Sequence, residues 1–326
     1  MRPANATLAR LGVSLVLIGA LAWQLDTRAL RDAFVTPSPG WLLLALAISV
    51  PQVVLSAWRW RLTARRMGLT LPLRRAVEEY YMATFLNQVL PGGVIGDASR
   101  AWRHARSSSD RPRAWRAVII ERLSGQLMLA VIAIVGLLSS PTLRDSMLGG
   151  LARLGNAPGA LTTVIIMLSV LGIWGYRRPP AWLRNTLDDL GTALVASRMW
   201  LWQCLSSLGV VASYIAVYAI AARAAGADID FATLLPLIPP VLMVMAIPLS
   251  VAGWGLRESA AALVWMGAGL DPAQGVAISL IYGVVVLVSS LPGAWLLCHR
   301  RRQHRDRDAQ ASAPLTSKSG GDCHAR

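Results

Sequence analysis

Residues 76–98 read AVEEYYMATFLNQVLPGGVIGDA, an apolar stretch broken near its end by Pro91, Gly92, Gly93 and Gly96. Before it lie Arg59, Arg61, Arg65, Arg66, Arg74 and Arg75; after it lie Arg103, Arg106, Arg111, Arg113 and Arg116. Short Arg-rich loops between apolar spans stay on the cytoplasmic side of a membrane. Both flanks therefore share one side, and the stretch between them enters the membrane and returns without crossing. Interrupted backbone of this kind survives at membrane depth only when it is buried in protein or lines a wet cavity.

The rest of the chain supports a membrane setting. It has 326 residues, 55% hydrophobic and 15% charged, where a soluble domain carries about 25% charged residues. Stretches 8–25, 41–57, 117–139, 160–176, 200–222 and 273–298 are apolar and each approaches the ~20 residues that cross a hydrocarbon core. The first lacks a small-residue cleavage site, since Trp23, Gln24, Leu25 and Asp26 follow it, so it reads as a retained anchor rather than a signal peptide. The net charge of +15 does not indicate nucleic acid, because the arginines lie between spans and in the tail. Further groups are Arg177, Arg178, Arg184 and Arg198, and then Arg300, Arg301 and Arg302; the alternate loops carry Asp26, Asp32, Asp145, Asp228, Asp230 and Asp271. This asymmetry predicts a multi-pass protein of the cell inner membrane with both termini cytoplasmic. Residues 300–326, polar and basic, are expected to form a disordered cytoplasmic tail.

A second apolar stretch, 231–270, is interrupted by Pro236, Pro239, Pro240, Pro248, Gly253 and Gly255. Parity requires it to start and end outside. It matches the first: Pro91-Gly-Gly-Val-Ile-Gly96-Asp-Ala-Ser-Arg100 and Pro248-Leu-Ser-Val-Ala-Gly253-Trp-Gly-Leu-Arg257 both read P-x-x-V-x-G-x-x-x-R. The predicted fold is an all-α polytopic membrane protein. It has about six full transmembrane helices and two re-entrant broken-helix hairpins in an inverted-topology repeat. Repeat one covers about 8–140, repeat two about 160–298, and the whole membrane domain 1–299. In such repeats the substrate site lies near the midplane, where the broken helices meet.

The broken segments carry the candidate binding chemistry. Pro91 ends an incoming helix, and Gly92, Gly93 and Gly96 permit close backbone approach. Asp97 is expected to cap the returning half-helix, with Arg100 one turn on; free N–H groups and a guanidinium there suit a phosphate. Gly253, Gly255 and Arg257 repeat the arrangement after Pro248, with Glu258 as counter-charge, and Asn87 adds a neutral hydrogen-bonding group. Glu121 and Arg122, with Gln126 on the Arg122 face, could line the same cavity. The structural alternatives are a cytoplasmic Arg100, an Arg257–Glu258 pair that only fixes the fold, and a Glu121–Arg122 pair that snorkels to the interface. Cys204, Cys298, Cys323 and the four histidines show no metal-binding spacing. Walker A, H-E-x-x-H and G-x-S-x-G motifs do not occur. No catalytic residue, metal or cofactor is expected.

Three segments in order resemble a known family: Asn87-Gln-Val-Leu-Pro91-Gly-Gly-Val-Ile-Gly96-Asp97-Ala-Ser-Arg100, then Glu121-Arg122, then Pro248 through Arg257-Glu258. They look like the signatures of the lysylphosphatidylglycerol synthase transmembrane, or flippase-like domain, family over roughly 8–300. The resemblance implies a lipid-flippase fold, with relatives that handle aminoacylated phospholipids, polyprenyl-linked sugars or hopanoids. Two-domain members carry a C-terminal aminoacyltransferase domain; the stretch after Cys298 is too short for one, so no synthase domain is expected. Trp254 stands between the second pair of glycines where a smaller residue is expected.

The leading expectation is a flippase moving an anionic phospholipid or a polyprenyl phosphate-linked lipid, its head group meeting Arg100 and Arg257. The alternative is an accessory subunit partnering a lipid- or glycan-synthesis enzyme. Less favoured are a glycosyltransferase using Asp26 and Asp32, and a carrier of a soluble anion.

Overall fold

The computed structural model describes residues 38–90, 93–145, 184, 199–245 and 253–311. The crossings expected at 8–25 and 160–176 lie outside the described residues, as do Pro91, Gly92 and Pro248. Helices α1 (Pro39–Arg66), α2 (Leu73–Val89), α3 (Ile95–Arg106), α4 (Arg111–Ser139), α5 (Met199–Ala224), α6 (Phe231–Val244), α7 (Leu256–Gly267) and α8 (Pro272–Ala311) account for most of them. Among the described residues, four helices are long and apolar enough to cross a membrane: α1, α4, α5 over Trp200–Ala224, and α8 over Pro272–Arg300. They fall on four of the expected crossings.

The helix ends follow from local sequence. Pro39 begins α1 at its first position, where its missing N–H costs nothing. Asp110 caps α4 by accepting from the Arg113 N–H at 3.0 Å, and Asp230 caps α6 through the Ala232 N–H at 3.0 Å. The outer face of α4 stays apolar and exposed, with Leu127 at 68% and Leu138 at 63%. Such a stripe suits contact with lipid.

Both broken stretches form a helix, a break and a second helix. Leu90 leaves α2 extended, Gly93 takes φ 59°, and α3 begins at Ile95. In the second stretch, Gly253 at φ 83° and Gly255 at φ 88° precede α7. At 17 and 12 residues, α2 and α3 are each shorter than the ~20 residues of a full crossing; α6 and α7, at 14 and 12 residues, are shorter too.

Packing ties the first broken pair to the end of the chain and the second to α4. α1 lies along α5, α2 lies against α8, and α6 lies against α4. The last two contacts are both made at a glycine. A Cβ on Gly293 of α8 would sit 2.2 Å from the Tyr81 carbonyl oxygen of α2. A Cβ on Gly136 of α4 would sit 3.2 Å from Pro236 Cα of α6. One apolar cluster runs through α5, α6, α7 and α8; a second joins the end of α1 to α3 and the start of α4.

The tail differs from expectation at its start. α8 continues as helix to Ala311, where disorder was expected from residue 300. Residues 300–311 hold no glycine or proline, and their arginines, glutamines and alanines propagate a helix already nucleated in the membrane.

Candidate functional site

Asn87 stitches the first break together. Its Nδ2 donates to Asp97 Oδ2 at 2.7 Å and its Oδ1 accepts from the Gly96 N–H at 2.7 Å. Only glycine fits at 96, since a Cβ there would lie 1.9 Å from the Ala83 carbonyl oxygen. The expected cap at Asp97 is corrected: Val94 holds the N-cap position without a side-chain bond. Asp97 falls inside the first turn, where Asn87, Arg100 and Arg122 take up its oxygens.

Behind this turn lies a buried charge network. Arg100 is 0% exposed; its Nε donates to Asp97 Oδ1 at 2.9 Å and its Nη2 to Glu121 Oε2 at 2.7 Å. The rings of Trp60 and Tyr80 lie 4.7 and 4.5 Å from its guanidinium carbon, a cation–π contact on two sides. The other oxygen of Glu121 accepts from Arg59 and, at 3.2 Å, from the Tyr80 hydroxyl. Arg59 also donates to Ser207 Oγ of α5 at 3.3 Å. Arg122 bonds Asp97 and, at 3.4 Å, the Gly93 carbonyl, and its side chain keeps 36% of its exposure. Among the described residues, Arg59, Arg100 and Arg122 thus face two carboxylates, Asp97 and Glu121, which leaves one positive charge over. Glu121 is wholly buried, so its carboxylate does not snorkel to solvent, while Arg122 keeps part of its exposure.

A cavity of about 190 Å³ opens beside this network, between α1, α2, α4, α5, α6 and α8. Its lining combines polar groups, among them Arg59, Tyr80, Asn87, Asp97, Arg122 and Gln126, with apolar ones, among them Val53, Leu129, Val210, Leu242 and Val286. It is smaller than the ~300–1,000 Å³ of drug-sized pockets, so it suits a head group and not the chains attached to one.

The second broken pair is closed. Arg257 and Glu258 are each 1% exposed and pair through Nη2 and Oε1 at 2.6 Å. Arg257 Nε donates to Ser279 Oγ at 2.8 Å. The far oxygen of Glu258 accepts from the Gly255 N–H at 2.6 Å. Trp254 and Tyr282 each place a ring centre 5.3 Å from the Arg257 guanidinium. Trp254 is accommodated because the glycines beside it take positive φ. A Cβ on Gly283 would come within 2.3 Å of Arg257 Nη2, so α8 presses directly on this pair.

The two breaks meet at Met245. A Cβ on Gly93 would lie 4.0 Å from the Met245 carbonyl oxygen, and one on Gly253 3.3 Å from Met245 Cγ. Among the predicted site residues, Asn87, Gly93, Asp97 and Arg122 line the cavity. Gly96, Arg100 and Glu121 support its wall without lining it. Gly253, Gly255, Arg257 and Glu258 are placed apart, beyond Tyr282, which lines the cavity with one side and contacts Arg257 with the other. Arg100 and Arg257 therefore do not meet the cavity as expected; each is enclosed by its own carboxylate partners. Sequence reasoning missed Arg59, Gln52 and Ser56 as lining groups. The signal was there: Ser49, Gln52, Ser56, Arg59 and Thr63 recur at helical spacing and form one buried polar stripe along an apolar span.

No curated protein matches the chain. Residues 7–293 match the family described as lysylphosphatidylglycerol synthase TM region. With an all-helical membrane body, two Gly-broken helix pairs and the Glu121–Arg122 pair inside the matched region, the chain belongs to that family of membrane domains.

Proposed function

We propose that this chain moves a lipid across the cell inner membrane, its phosphate-bearing head group passing through the cavity while the acyl or prenyl chains stay in the bilayer. The observation that carries this reading is the partly exposed Arg122 guanidinium in a cavity whose lining holds three residues of the charge network, Arg59, Asp97 and Arg122, and several apolar side chains. A guanidinium binds phosphate bidentately, and an ionisable group at membrane depth marks a functional site by default. The reading assigns transport and no bond-breaking step to the chain.

An inverted repeat would supply the motion. The same sequence separation divides Pro91 from Pro248, Arg100 from Arg257 and Gly136 from Gly293. The packing is reciprocal: α2 seats on α8 at Gly293, and α6 seats on α4 at Gly136. Rocking of one repeat against the other would expose the site to each side in turn. The Arg-rich ends of α1 and α4 would face the cytoplasm.

Reconstitution tests this. Liposomes carrying the full chain should translocate a labelled anionic phospholipid, and Arg122→Ala should slow it. Equal rates for wild type, Arg122→Ala and protein-free liposomes would overturn the proposal.

A further inference from the structure

Resting on the transport reading, we infer that the cavity selects a phosphate ester whose head group is a neutral polyol, and excludes head groups that carry an ammonium. Three observations converge. First, both carboxylates near the cavity are spent. Asp97 accepts from Asn87, Arg100 and Arg122, and Glu121 accepts from Arg59, Arg100 and Tyr80. An ammonium entering here finds no carboxylate to replace its water, and an unpaired charge is costly to desolvate.

Second, the surplus charge is positive and accessible on Arg122. It attracts the phosphate and repels a second cation brought in with it.

Third, the wall holds unfilled acceptors. Gln52 Oε1, Ser56 Oγ and Gln88 Oε1 have no hydrogen-bond partner among the described residues, although their residues are 8%, 1% and 8% exposed and all line the cavity. Buried polar atoms need partners, and hydroxyl donors from a glycerol or sugar supply them. The methyl groups of a choline cannot donate at all. A glycerol-headed phospholipid and a sugar carried on a prenyl phosphate share this chemistry.

Competitive retention by the full chain in nanodiscs, read by native mass spectrometry, tests the inference. The probes are phosphatidylglycerol, a hexosyl prenyl phosphate, phosphatidic acid, phosphatidylethanolamine and phosphatidylcholine. Retention of phosphatidylglycerol or the hexosyl lipid at least tenfold above the amine-bearing lipids, and severalfold above phosphatidic acid, supports it; which of the two leads names the source. Retention of phosphatidylethanolamine equal to phosphatidylglycerol overturns it, and so does parity between phosphatidic acid and both polyol lipids. The Gln52→Leu/Gln88→Leu variant should erase the preference over phosphatidic acid and keep that over phosphatidylethanolamine; an unchanged preference overturns the hydroxyl contacts. Ser56→Ala, a smaller change, should lower the same preference if the double variant does not fold. Selective retention without translocation upholds this inference and refutes transport. Translocation of every head group at one rate, with no selective retention, does the reverse.

Discussion

The two broken helix pairs present an arginine at matching positions of the same ten-residue pattern, yet they use it differently. Around Arg100 there are three guanidinium groups to two carboxylates, and the third, Arg122, reaches a cavity. Around Arg257 the account is balanced by Glu258 and Ser279, and rings and the α8 backbone close the space. A matching motif therefore builds a buried charge cluster in both places, and only one of them borders a cavity. What separates them is the ion pair count and the side chains opposite: Glu121 and Arg122 on α4 against Ser279 on α8.

Four substitutions test this contrast. The largest effect is expected from Glu121→Ala, which strands Arg59 and Arg100 as buried cations; breaking a buried pair costs about 3–5 kcal/mol. Thermal melts in detergent should show loss of the folded form, and a wild-type melt would remove Glu121 as the hub. Arg257→Ala should also destabilise, leaving Glu258 buried without its partner, by a similar ~3 kcal/mol. If that variant instead folds normally and stops transport, the second pair is a binding site too and the contrast collapses.

Arg122→Ala should do the opposite: near-normal melting, because Asp97 keeps Arg100 and Asn87, with lipid binding weakened by about 2 kcal/mol, roughly thirtyfold. Binding isotherms in nanodiscs measure it. The smallest effect belongs to Arg300→Ala. Arg300 bonds Glu78 and Glu79 at 2.8 and 2.7 Å, but its side chain is 34% exposed, so the loss should stay below about 1 kcal/mol and move the melting temperature by only a few degrees.

Much of the fold was legible in the sequence because membranes impose few solutions. The spans 41–57, 117–139, 200–222 and 273–298 became α1, α4, α5 and α8, since an uninterrupted apolar run has no alternative to a helix. The breaks at 91–96 and 248–255 were legible from glycine and proline. The site was only half legible. Asn87, Gly93, Asp97 and Arg122 border the cavity; Arg59 was marked only by its place in the polar stripe from Ser49 to Thr63, and its partners Glu121 and Ser207 lie far along the chain. Asp97 was misplaced as a cap for the same reason. Its oxygens are drawn to Arg122 on a neighbouring helix, an attraction that no short window records.

The clasp at Arg300 has a mechanical consequence. Glu79 is held at once by Arg300 at the membrane end of α8 and by Arg103 on α3, so the tail helix and the first broken pair grip one carboxylate. Because α8 runs unbroken to Ala311, a pull or twist on its last turns would be delivered along the helix to the segment that carries Asn87 and Tyr80. If the chain transports lipid as proposed, the end of α8 would be a handle on the cavity wall.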